Sequence, residues 1–162
     1  MAIEFVTIGV VGFDAATFFQ ALVDAQVDTL CDIRRRRAVR GAEYAFANSR
    51  RLQERLAALG IRYLHYIDLS PSNELRRQQE TADKQEHTAR RKRAVLSAQF
   101  VQGYEQSVLA DFDAAAFAES LGPAAHVVAL LCVEREPAAC HRGLLAAKLH
   151  KDLGVKVTHL TP

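Results

Sequence analysis

The stretch "HVVALLCVEREPAACHRGLLAAKLHKDLG" occupies residues 126–154 and runs from an apolar segment through a charged turn into a helical pattern. Residues 126–133 form an unbroken apolar run rich in Val and Leu, the composition of a strand buried on both faces. Glu134, Arg135 and Glu136 stop the run. Pro137 then fits the first position of a helix, where the N–H it lacks would have no helical partner. That helix ends near Gly154 and places His141 on one stripe with Leu145 and Leu149, so His141 should face the sheet. A buried strand feeding straight into a helix is the unit of a parallel sheet with both faces covered.

The rest of the chain repeats this alternation. Residues 4–11 are apolar and rich in Val and Ile, a first strand, and Asp14 can cap a helix with Phe18, Phe19 and Leu22 on its buried stripe. "VDTLCDI" (27–33) gives a second strand. Ser49 opens a helix with Leu52, Leu56 and Leu59 at helical spacing, stopped by Gly60. Residues 61–69 give strand three, Asp113 caps a short helix with Phe117 and Leu121, and "KVTHL" closes as strand five. Between about 71 and 107 the pattern turns polar and helix-prone. It predicts a helical excursion with a mobile early section and with Val95, Phe100, Val101 and Tyr104 as burial candidates. The expected fold is one α/β domain over 1–162, a mainly parallel five-stranded sheet flanked by helices, plus this charged insertion.

No apolar run approaches the ~20 residues of a membrane helix, and "FVTIGVVGF" follows Glu4 rather than a basic segment, so neither a membrane partner nor a signal peptide is expected. Three cysteines, an odd number, suit a reducing cytoplasm better than a disulfide framework. The net charge of +2 conceals a segregation: residues 34–93 hold 16 of the 21 Lys and Arg and 7 of the 19 acids, a net of +9, against −7 elsewhere. Such a segment attracts polyanions. Two readings stay open, a solvated face on a helical insertion and a functional anion-binding face. In the nucleic-acid form of the second, Arg90, Arg91 and Arg93 would make the contacts, without a recognised reading motif.

Ligands of such sheets bind beyond the carboxyl ends of the strands. That rule gathers Glu134, Cys140, His141 and Arg142 from the quoted stretch, with Asp32 and Arg34 from the end of the second strand. Burying these groups unpaired would cost several kcal/mol each, so they must be paired, solvated or engaged with a ligand. A structural ion-pair network competes with a site. As a site, Arg34 and Arg142 would hold a phosphate- or nucleotide-bearing anion with the helix N-terminus. Glu134 or His141 would serve as general acid or base, and Asp32 would orient His141 or Arg142. Cys140 gains as a nucleophile from the helix N-terminus, whereas Cys31 and Cys132 read as small apolar fillers.

Sharper chemistries fail on spacing. A phosphatase- or rhodanese-like loop needs an arginine a few residues past its cysteine, but Arg142 lies ten after Cys132 and two after Cys140. The zinc deaminase pattern is fused into one turn and lacks a ligand. Zinc on Cys31, Cys132, Cys140 and His141 is disfavoured, because neighbours on a helix diverge by about 100° and short cysteine pairs are absent. Neither a metal nor a cofactor is expected.

The block "CVEREPAACHR" (132–142), with "TIG" (7–9), "DIR" (32–34), "GIRY" (60–63) and the closing "VKVTHL", resembles the domain-of-unknown-function 488 family. The resemblance runs in order along nearly the whole chain outside the insertion. It implies a compact α/β domain of the bacterial or archaeal cytoplasm with a shared pocket of Gly9, Asp32, Arg34, Glu134, Cys140, His141 and Arg142. Relatives often continue the first strand as G-H-S and place a proline soon after D-x-R. Here Val10 and Val11 follow Gly9, and "RRR" follows Arg34.

Overall fold

The computed structural model describes residues 2–162. In chain order it runs β1 (Glu4–Ile8), α1 (Ala15–Asp24), β2 (Thr29–Asp32), α2 (Ser49–Ala58), β3 (Arg62–His65), α3 (Asn73–Gln85), α4 (Ala98–Ser107), α5 (Ala114–Ser120), β4 (Val127–Leu131), α6 (His141–Leu153) and β5 (Val157–Leu160), with short 3-10 turns between some of them. All five strands are parallel in the order β3-β2-β4-β1-β5.

The strands' side-chain alternation feeds two cores. On one face Phe5, Cys31, Val128 and Leu130 pack with Phe100, Tyr104, Phe117, Leu145 and Leu149. On the other, Val6, Ile8, Leu30 and Ala129 pack with Phe18, Phe19, Leu22, Leu52 and Leu56. Each fully buried Leu or Phe contributes about 1.5–3 kcal/mol relative to exposure. Asp14 caps α1 as expected, its carboxylate accepting from the Thr17 N–H while the Thr17 hydroxyl accepts from the Asp14 N–H.

The strand order sets the site. After β2 the chain crosses one face through α2 to β3. After β4 it crosses the other face through α6 to β5. Neighbouring strands whose connections depart in opposite directions leave a crevice beyond their carboxyl ends. Here that crevice lies between the ends of β2 and β4.

Several boundaries differ from the sequence reading. β1 stops at Ile8 because the amides of Val10 and Val11 both turn to the Val133 carbonyl, at 2.9 and 3.0 Å. Ser49 does open α2 as expected, and the side-chain oxygen of Asn48, at the cap position, accepts from the Val39 N–H. Leu59 falls past the helix end and is exposed; Gly60 follows it with φ of 73°, the left-handed conformation a glycine adopts at low cost. Pro137 opens a separate 3-10 turn, Pro137–Ala139, and α6 begins only at His141. The early part of the insertion is the regular helix α3, capped by Ser72. Phe100 and Tyr104 are buried, Val101 is half-buried, and Val95 is 66% exposed. The insertion joins the core rather than standing off it, since Leu75, Phe100 and Tyr104 share a cluster with Phe5 and Val128.

Candidate functional site

The end of β2 is built around one buried ion pair. The Arg34 guanidinium donates through Nε and Nη2 to the two Asp32 carboxylate oxygens, at 2.9 and 2.8 Å, and through Nη1 to the Ala47 carbonyl at 2.9 Å. The Tyr63 hydroxyl donates to the same carboxylate at 2.7 Å. Burial, foremost, pushes the Tyr63 phenol up to about 12, and its bond to Asp32 adds to the rise. Both charges are removed from water, so the bidentate geometry and the extra donors are what make the pair tolerable. Asp32 therefore holds Arg34, not His141 or Arg142 as the sequence reading expected.

The end of β4 is tied to β1 and α6. Arg142 is fully buried, and its Nη1 and Nη2 donate to the carbonyl oxygens of Glu134 and Arg135. Its fork grips backbone, where a carboxylate or phosphate was expected. Gly9 lies against this clamp. A Cβ at position 9 would overlap the Glu134 carbonyl and lie 2.9 Å from Arg142 Nη1. Gly9 thus permits a close approach of the β1 and β4 exits.

Cys132, Cys140 and His141 meet between the two strand ends. Cys140 is the residue before α6, in an extended conformation (φ −140°, ψ 147°), so it does not follow the helical divergence assumed from sequence. His141 Nε2–H donates to the Ile33 carbonyl at 2.9 Å. That bond fixes the ring and turns Nδ1 toward Cys132 Sγ at 3.5 Å and Cys140 Sγ at 3.8 Å. Burial opposes ionisation of Cys140, but the Cys132 hydrogen bond, the adjacent His141 and the Arg142 charge outweigh it and hold this thiol well below its ordinary range. Burial and the Cys140 neighbour push Cys132 up instead. Burial works against charge on His141 too, yet the Cys140 sulfur raises its pKa. Cys31, buried away from this group, is pushed up to about 12 by burial. Of the three thiols, only that of Cys140 is shifted down.

Above this floor opens a cleft of about 460 Å³. Its walls carry eight arginines, at 34, 35, 36, 40, 76, 90, 91 and 93, against two glutamates, Glu80 and Glu134. The insertion supplies one wall. Arg93, buried, donates to Asp83 at 2.7 Å, to the Ala139 carbonyl at 2.9 Å and to Glu134 at 3.4 Å, while Arg90 reaches Glu134 at 2.8 Å. Burial, then the Cys140 charge, raises the Glu134 carboxyl, and these two arginines counter it. Arg91 lies over the Tyr44 ring and donates to the Arg40 carbonyl.

The structure thus brings Arg34, Glu134, Cys140 and His141 to one cleft, joined by Arg90, Arg91 and Arg93. Asp32, Gly9 and Arg142 stand behind it as supports. Arg34 forms wall, but its donors are directed at Asp32 and Ala47. Arg36 and Arg76 escaped the sequence reading. Neither has an ion-pair partner among the described residues. Burial, then the nearby Arg90 and Arg36 cations, lower the Arg76 pKa, with Glu80 and Glu134 offsetting part of the effect. The signal for both was the segregation of charge within 34–93, which names a segment but not a residue.

No helix among the described residues is long and apolar enough to cross a membrane. Comparison with curated proteins and with solved structures returns no significant match. Residues 14–149 match a family profile described as "Domain of unknown function DUF488", a span that contains β2, β4, the insertion and the Cys–His floor. The chain belongs to the DUF488 family.

Proposed function

We propose that the cleft is an enzyme-like pocket for a small anionic, phosphate- or nucleotide-bearing ligand. The observation that carries this reading is Arg76. It is half-buried, has no ion-pair partner among the described residues and is crowded by Arg36 and Arg90, so the wall carries positive charge that its two glutamates do not balance and that an anion would neutralise. Arg36 and Arg76 are the principal anion holders, replacing Arg34 and Arg142 in that role. Glu134 is the acid or base. One of its oxygens is held by Arg90 and Arg93, and the other stands 3.7 Å from Cys132 Sγ. Asp32 acts as a positioning residue through Arg34, and Cys140 and His141 form the reactive floor.

Calorimetry with pyrophosphate and a panel of nucleoside phosphates tests this. Arg76→Ala should weaken the best ligand at least tenfold, about 1.4 kcal/mol, and rising salt should weaken binding to wild type. Equal affinity in wild type and Arg76→Ala, or no binding of any phosphate compound at low salt, would contradict it. Binding confined to oligonucleotides, with a steep salt slope, would favour a nucleic-acid module instead. Of the three arginines proposed for that role, Arg93 and Arg90 are engaged with internal carboxylates, which leaves Arg91.

A further inference from the structure

The Cys132–Cys140–His141 group has the geometry of a metal site. We propose that these three side chains bind one thiophilic divalent ion of the zinc type, as a Cys2His set whose fourth position opens into the cleft.

The nitrogen–sulfur distances fit directly, and the two sulfurs, which lie within 4.8 Å of each other, need close only to the roughly 3.8 Å of tetrahedral sulfur ligands. Bond lengths of about 2.3 Å to sulfur and about 2.0–2.1 Å to nitrogen put tetrahedral sulfur and nitrogen ligands about 3.5 Å apart. The Nδ1–Sγ separations are 3.5 and 3.8 Å, and the three ligand atoms all lie within 4.8 Å of one another. Orientation fits as well. A ligating histidine ordinarily donates its other N–H to a carbonyl or carboxylate, which fixes the tautomer and aims the free lone pair. The Ile33 carbonyl does this here, and the other nitrogen, Nδ1, lies within 3.5 and 3.8 Å of the two sulfurs.

The surroundings favour a soft, exchangeable ion over a packed filler role. Cys132, Cys140 and His141 all line the cleft, so an ion has a path in and an open coordination position once bound. Three protein ligands with one open position is the pattern of reactive rather than purely structural zinc. Glu134 Oε2, 3.7 Å from Cys132 Sγ, borders that position. The extended backbone at Cys140 is what makes the set possible, because it swings Sγ back toward a histidine that is its immediate neighbour in sequence. Two thiolates would balance the charge of a divalent ion, which suits a site taken out of water.

Cobalt(II) titration of the reduced, chelator-stripped full chain tests the proposal. One equivalent should give intense visible bands of tetrahedral cobalt with thiolate charge transfer in the near ultraviolet, and zinc should displace them. Cys132→Ser, Cys140→Ser and His141→Gln should each weaken cobalt binding at least tenfold, while Cys31→Ala leaves it unchanged. A pale octahedral spectrum in wild type, or full binding by Cys140→Ser, would overturn the site. Should the variants fail to fold, X-ray absorption of the zinc-loaded wild type still decides. Two sulfurs and one imidazole nitrogen support the proposal, and an all-oxygen shell, or no zinc uptake by the reduced protein, refutes it. The cobalt spectrum does not depend on Arg76, so failure of the anion reading and failure of this one are separately visible.

Discussion

Asp32→Ala should lose about 3–5 kcal/mol of stability, enough to bring many single domains close to unfolding. The substitution leaves the Arg34 guanidinium buried with only the Ala47 carbonyl to receive it, and removes the acceptor of the Tyr63 hydroxyl. The penalty comes from an uncompensated buried charge more than from lost attraction. A double variant, Asp32→Ala with Arg34→Met, should therefore recover much of the loss, because an apolar replacement of both partners removes the stranded cation. Urea unfolding of the four proteins measures this. Additive losses in the double variant would mean that the pair is not the stabilising unit.

Gly9→Ala should cost about 3 kcal/mol, a large effect for one methyl group. The added Cβ would overlap the Glu134 carbonyl, which is itself gripped by Arg142, so neither neighbour can move freely. Relief requires the β1 exit to lift away from β4 and to drag Glu134, whose carboxylate anchors Arg90 and Arg93 across the cleft. A fall in the urea midpoint should thus be accompanied by weaker anion binding in the protein that remains folded. A variant as stable as wild type would show that the close approach is not a constraint.

The fold was legible in the sequence because its signals are local. Apolar runs gave the strands, Asp14 and Asp113 marked helix starts, and Gly60 marked a helix end. Convergence of Glu134, Cys140 and His141 was legible too, since a strand-to-helix turn must lie at the sheet edge. What sequence could not express is where donors end up once partners are chosen. Asp32 and Arg34 satisfy each other, and Arg142 satisfies backbone carbonyls, so residues that look like a ligand clamp in one dimension form its frame in three. Arg36 and Arg76 look like ordinary solvated charges until the insertion folds over the β4 end. Val95 misled because apolar character alone does not say which side of a loop is covered. Cys140 misled through a boundary: one residue inside the helix it would diverge from His141, and one residue outside it converges.

On the function proposed above, an anion occupies the arginine-walled cleft beyond β2 and β4. A crystal structure of wild-type protein soaked in selenate or tungstate tests it most directly, because the anomalous signal locates the anion without reference to any assumed ligand. A peak is expected between Arg36, Arg76 and Arg90, above Glu134. Anomalous peaks confined to the outer surface, with the cleft empty at saturating anion, would contradict it.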